Sequence, residues 1–199
     1  MKALIVVDIQ IDFCPGGALA VQEGDLIVPL VNRVREDYDL VVFTQDWHPA
    51  DHQSFAANHP GKKIGDLIDL DGLPQVLWPV HCVQETVGAK FHPSLDIRST
   101  DKVFRKGTDP RVDSYSAFFD NAHRKSTGLA DYLRGRRVTR LSLCGLATDY
   151  CVKFSALDAI QEGFQVAVLS QLCRGVNLQP QDSHHALIEM KAAGASIVP

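Results

Sequence analysis

The chain predicts a three-layer α/β fold, a mostly parallel central sheet with helices on both faces. Three observations predict it. Short aliphatic runs such as Ala3 to Val7 and Val138 to Leu143 show no polar alternation, as expected of strands buried on both faces. Amphipathic stretches of helical period separate these runs, and strand–helix alternation favours parallel pairing. With 45% apolar residues, 199 residues can bury one large core, so positions 1–199 are expected to form a single domain.

Taken in order, Ala3 to Val7 reads as a buried strand. Asp25 to Glu36 carries Leu26, Leu30, Val31 and Val34 on one stripe and reads as a helix, with Pro29 early in it. Leu40 to Phe43 is a second strand and Lys102 to Phe104 a short third. Leu129, Tyr132 and Leu133 mark a helix ending near Gly135. Val138 to Leu143 is a strand whose Gly145 opens a turn into a helix from Thr148 to Glu162. Val166 to Leu169 follows as a strand, Gln181 to Ala193 as a helix stopped by Gly194, and Ser196 to Val198 as a last strand. The stretches 47–90 and 107–125 are rich in Gly, Pro and His and lack a strong period, and loops of that length usually carry function.

Composition removes several classes of function. Twenty basic against twenty-four acidic residues leave a net charge of −4, which does not describe a polyanion-binding surface, so no nucleic acid is expected. The apolar run after Met1-Lys2 stops at Asp8, too soon for a signal-peptide core or a membrane span. Five cysteines without C-x-x-C spacing suggest neither a disulfide framework nor a zinc knuckle, and fit a reducing, cytoplasmic setting. Neither G-x-G-x-x-G nor G-x-x-x-x-G-K-[ST] occurs, which removes the main support for a nucleotide-binding domain.

In sheets of this kind ligands sit beyond the carboxyl ends of the strands. Asp8, Asp46, His48, Lys106 and Cys151 all fall at such ends. Asp46 and His48 are two apart in extended chain, so they project to one side, and His81 lies in Trp78-Pro79-Val80-His81. A hard carboxylate with borderline imidazoles is the ligand mix of a divalent transition metal, and three protein ligands leave open positions. Polar surface loops are the alternative. Cys151 falls in the first turn of a helix after a plausible Thr148 cap, where free N–H groups favour an anion. Lys106 would lower its pKa further and Asp8 would accept its proton. Each has a plain structural reading too: a strand-end cap for Asp8, a solvated charge for Lys106, a small buried hydrophobe for Cys151. Cys144 reads as core, and Cys14 and Cys173 as inert thiols.

Val7-Asp8-Ile9-Gln10-Ile11-Asp12-Phe13, Gln45-Asp46-Trp47-His48-Pro49, Trp78-Pro79-Val80-His81-Cys82, Phe104-Arg105-Lys106-Gly107 and Gly145-Leu146-Ala147-Thr148-Asp149-Tyr150-Cys151-Val152 occur in that order. Together they resemble the nicotinamidase (pyrazinamidase) branch of the isochorismatase-like cysteine hydrolases. The likeness continues through Asp113-Ser114-Tyr115-Ser116-Ala117-Phe118 and Cys173-Arg174-Gly175-Val176, so it covers nearly the whole chain. It implies an isochorismatase-like, Rossmann-like topology and hydrolysis of nicotinamide, or pyrazinamide, to the acid and ammonia, in NAD salvage. By the resemblance, Cys151 attacks the carboxamide, Asp8 moves the proton, Lys106 stabilises the pair, and a thioester forms. The N–H groups of Ala147 and Cys151 form the oxyanion hole, beside a cis peptide at Leu146–Ala147. Asp46, His48 and His81 hold one Zn, Fe or Mn ion, which binds the pyridine nitrogen. Phe13, Trp78, Tyr115, Leu146 and Tyr150 form the substrate pocket. His52 stands where some relatives recruit a further ligand, at a shorter spacing, and is expected to support the site rather than ligate. His59, His92, His123, His184 and His185 receive no role. A homo-oligomer is compatible with the chain, and a metal-free relative acting on another amide is the chief rival reading.

Overall fold

Strand β1 (Lys2–Val7) is the hub of the molecule because its five apolar residues, Ala3 to Val7, are wholly buried. In the computed structural model, which describes residues 1–199, it pairs in parallel with β2 (Leu40–Asp46) on one side and β6 (Arg140–Leu146) on the other. Beyond β2 lies β5 (Lys102–Lys106), and beyond β6 lie β7 (Gln165–Arg174) and β8 (Ser196–Val198). The six-stranded order is β5-β2-β1-β6-β7-β8, and every pairing is parallel.

From β1 the chain travels outward through α1 (Val28–Val34) to β2, and after β6 it travels the opposite way through α3 (Lys153–Gln161) and α4 (Asp182–Ala193). Parallel crossovers share one hand, so opposite directions of travel put these helices on opposite faces of the sheet. The remaining helix, α2 (Leu129–Gly135), joins β5 to β6. The switch in direction falls between β1 and β6, which opens a crevice at their carboxyl ends.

Several elements run beyond their sequence-based limits, for one reason. Gln45 and Asp46 pair with Arg105 and Lys106, so β2 and β5 extend each other to the residues that carry charge. Neighbouring strands, which local propensity does not see, decide where a strand ends. The segment expected as a helix over 25–36 is α1 flanked by short 3-10 turns, with Pro29 in the first turn, where its missing N–H costs nothing. The stretch 47–90 holds an unforeseen hairpin, β3 (Leu67–Leu70) and β4 (Leu73–Val76). Its two-residue turn, Asp71-Gly72, has positive φ at both positions (53° and 84°), the geometry that Asp-Gly favours. That dipeptide was the legible signal.

Candidate active site

The crevice is built from strand ends. Asp8 follows β1 with φ 46°, wholly buried. The Thr44 hydroxyl donates to its Oδ1 at 2.6 Å, and Lys106 Nζ lies 2.9 Å from its Oδ2. Lys106 closes β5 with its ammonium between the carboxylates of Asp8 and Asp46, and also donates to the Ser114 carbonyl at 2.9 Å. The sulfur of Cys151 is 3.4 Å from the same Nζ. Oxygens of Asp8 and Asp46 and the Cys151 sulfur all lie within 4.8 Å of one another. Gly145 makes this approach feasible: at φ 121° a Cβ there would stand 2.1 Å from the Val7 carbonyl oxygen. The peptide between Leu146 and Ala147 is cis.

The turn after β6 differs from the expected start of a regular helix. Thr148 to Val152 form a π-type turn, Ala147 occupies the capping position, and no side chain caps it, so Thr148 is not the cap. Such turns often sit at functional sites. The thiol also differs from expectation. Burial pushes Cys151 well above the usual thiol value, and Asp8 and Asp46 add to that rise against the pull of Lys106. Desolvation outweighs the ammonium, whose pull is further offset by the two carboxylates it serves. Burial likewise raises Asp8, against Lys106, to about 6.

Asp46 also belongs to a second group: Asp46, His48 and His81 place ligand atoms within 4.8 Å of one another, all on buried residues. His48 Nδ1–H donates to the Gly107 carbonyl and His81 Nδ1–H to the Pro79 carbonyl, both at 2.8 Å. A carbonyl only accepts, so in each neutral ring the hydrogen sits on Nδ1 and Nε2 carries the lone pair, the tautomer a metal ligand requires, while against burial Asp46 pulls the His48 value up. His48 Nε2 lies 3.6 Å from Asp46 Oδ2. Despite burial, Lys106 and His48 hold Asp46 well below the usual carboxylate range, and burial and His48 lower His81 to about 4. An ionised carboxylate and an unprotonated imidazole suit a divalent cation, so the donor set fits one.

Two chain segments meet to form this set. His48 N–H donates to the Cys82 carbonyl at 3.0 Å, and Gln84 N–H to the His48 carbonyl at 2.9 Å. Gln10 clamps Asp46 at both its N–H and its carbonyl (2.8 Å each), and Asp12 accepts from Cys82 N–H at 2.7 Å. Neither supporting role was foreseen, although Gln10 and Asp12 stand within the Asp8 motif. His52 packs 4.4 Å from His48. Its Nδ1 accepts the Ser54 N–H at 3.1 Å, which leaves the hydrogen on Nε2, an atom without a partner. His52 therefore offers no lone pair towards the site.

Both groups of side chains open onto one cleft. Phe13, Leu19, Trp78, Tyr115, Ala147, Tyr150 and Val176 wall it, and Asp46, His48, His81, Asp113 and Cys151 line its polar parts. Trp78 and Tyr150 meet edge to face at 4.8 Å, and Trp78 Nε1 donates to the Tyr115 hydroxyl at 3.2 Å. Leu146, expected in the pocket, is instead wholly buried in the core and does not line the cleft. Leu19 had no distinguishing signal, and Asp113 and Val176 appeared only inside longer motifs. Val176 is held by Asp149, whose carboxylate accepts from Val176 N–H at 2.9 Å and Asn177 N–H at 2.7 Å. All five cysteines are free and buried, but only Cys151 meets a cation.

No helix is long and apolar enough to cross a membrane. The chain is 54% identical to the nicotinamidase of Escherichia coli (strain K12), covering 98% of this chain and 93% of that protein. It is 37% identical to the nicotinamidase/pyrazinamidase of Mycobacterium tuberculosis, covering 100% and 98%. Among solved structures, the nicotinamidase/pyrazinamidase of Acinetobacter baumanii is 44% identical with a TM-score of 0.94, covering 99% and 95%. The pyrazinamidase of Pyrococcus horikoshii in complex with zinc is 42% identical with a TM-score of 0.81, covering 99% and 98%. The isochorismatase domain model matches residues 2–199, and the chain belongs to the isochorismatase family.

Proposed function

We propose that this protein is a nicotinamidase, a cysteine amidohydrolase that converts nicotinamide to nicotinate and ammonia and serves NAD salvage. The observation that carries this reading is the cleft itself. It gathers the Cys151 sulfur, 3.4 Å from Lys106 Nζ, and a three-residue metal-ligand set into one cleft with aromatic walls. Pyrazinamide, a similar ring amide, is the second substrate of the same class. A solved relative from L. infantum, 36% identical, carries nicotinate, which supports a pyridine carboxylate as product.

The chain's own residues divide the work. Because burial keeps the thiol protonated, Cys151 needs a base at the moment of attack, and Asp8 takes that proton. Sulfur then adds to the carboxamide carbon, with the N–H groups of Ala147 and Cys151 receiving the oxyanion; such a donor is typically worth about 2.7–4 kcal/mol. Asp8 returns the proton to the departing ammonia and a thioester remains. A water, deprotonated by Asp8, cleaves the thioester and frees nicotinate. Lys106 keeps the sulfur, Asp8 and Asp46 together throughout. Phe13, Trp78, Tyr115 and Tyr150 hold the ring. Asp46, His48 and His81 would hold a divalent Zn, Fe or Mn ion, which supplies a Lewis acid for the pyridine nitrogen and so orients the ring.

The test is ammonia release from nicotinamide by metal-loaded protein, with Cys151→Ala as control. Turnover by the wild type and none by the variant is the expected result, whereas equal turnover would remove Cys151 from the reaction.

A further inference from the structure

The hairpin of β3 and β4 stands outside the six-stranded sheet, and Gln75 is the only buried residue of its two strands. A buried amide has to find partners for its hydrogens. Gln75 Nε2 donates to the Val76 carbonyl at 2.7 Å, and lies 3.1 Å from Asp113 Oδ2 and 3.2 Å from the Tyr115 hydroxyl. The Val76 carbonyl only accepts, which fixes the amide with its NH2 group turned this way. That shortest bond takes one hydrogen, and Asp113 and Tyr115 share the other.

Asp113 and Tyr115 both line the reaction cleft, whereas Gln75 does not. The Tyr115 hydroxyl oxygen thus accepts from two residues of one segment, Gln75 and Trp78. Tyr115 and Trp78 each meet Tyr150 edge to face, at 5.3 and 4.8 Å, so these two bonds set how three rings of the wall stand. The backbone here has ties of its own. Ser114 N–H donates to Asp113 Oδ1 at 2.7 Å and Tyr115 N–H to Asn121 Oδ1 at 2.9 Å. Loss of Gln75 therefore frees side chains and leaves in place the Ser114 carbonyl that receives Lys106.

The geometry points to Gln75 as a positioning residue for ring recognition: from outside the cleft, its amide holds the Tyr115 ring and the Asp113 carboxylate in place along it. The inference deepens the proposed activity and rests on it. A leucine at 75 keeps much of the volume but has no hydrogen to give. The phenol and the carboxylate then lose a shared donor, and Tyr115 gains freedom that substrate binding must remove. That cost falls on ground state and transition state alike, so KM rises and kcat stays. A residue that merely anchored the hairpin would instead disturb kcat and metal content together when removed.

Steady-state ammonia release from nicotinamide by metal-loaded protein tests it, comparing wild type, Gln75→Leu, Tyr115→Phe and the double variant. Gln75→Leu is expected to raise KM about tenfold, with kcat within about twofold of wild type and metal content unchanged. The double variant is expected to be less than additive in KM, since both substitutions break one contact. With the wild type active, an unchanged KM, a kcat that falls as far as KM rises, or additive effects overturn the inference alone. A wild type that releases no ammonia overturns the proposed activity and the inference with it. If Gln75→Leu does not fold, Gln75→Met, whose unbranched chain adapts to the space, is judged by the same criteria.

Discussion

Asp8, Lys106 and Cys151 show how burial and charge compete within a few ångströms. A helix start and a nearby ammonium together argue for a lowered thiol, yet burial holds it up, helped by the two carboxylates that share that ammonium. The proposed mechanism therefore requires a base. Asp8→Asn keeps the shape while removing the proton acceptor, and kcat is expected to fall on the order of 10²–10⁴-fold. Unchanged turnover in a stopped ammonia assay would show that another group takes the proton. Removing the proposed nucleophile is more severe: Cys151→Ala should cost roughly four or more orders of magnitude with fold and metal content intact. The pH profile has a defined sign as well. Asp8 must be ionised to accept a proton, and burial raises it to about 6, so activity should fall as pH drops through about 6. An acid limb that stays flat down to the ordinary aspartate range would contradict that role.

At the scale of elements, Gly107, like Gly145 against the Val7 carbonyl, carries a constraint that no other residue meets. A Cβ on Gly107, at φ 63°, would lie 2.3 Å from the His48 ring, and the Gly107 carbonyl is the acceptor that fixes the His48 tautomer. Gly107→Ala should thus weaken metal binding about 10–100-fold, as expected for an outer-shell partner. Competition against a chromophoric chelator reads this directly, and an unaltered affinity would mean that the loop absorbs the methyl group. Strand limits teach a related lesson. The aliphatic runs were legible because fully buried parallel strands need no alternation, but β2 and β5 reach Asp46 and Lys106 only by pairing with each other. The hairpin of β3 and β4 could have been read from Asp71-Gly72. The π-type turn at Thr148–Val152 had no local signal, since it depends on how β6 delivers the chain to the crevice.

For the molecule as a whole, the metal set ties strand β2 to the distant loop at His81, so cation binding and folding are coupled. Chelation should lower the melting temperature. At a free metal concentration of 100 Kd the bound state gains about 2.7 kcal/mol, or roughly 5–10 °C for a chain of this size. Equal melting temperatures with and without chelator, in a protein shown to bind metal, would place the ion outside the folded core.

Residue types and their order determined by themselves the α/β class and the family likeness, and singled out Asp46, His48, His81 and Cys151 as candidates. These are local properties: hydrophobic period, side-chain chemistry, and motifs a few residues long. Only the tertiary structure decided the burial that raises the Cys151 thiol, the orientation of the His48 and His81 imidazoles, and the exclusion of Leu146 from the cleft. Each of these depends on dielectric, on carbonyls supplied by other segments, or on which side of a wall a side chain falls. Such quantities exist only once distant parts of the chain have been brought together and water driven out from between them.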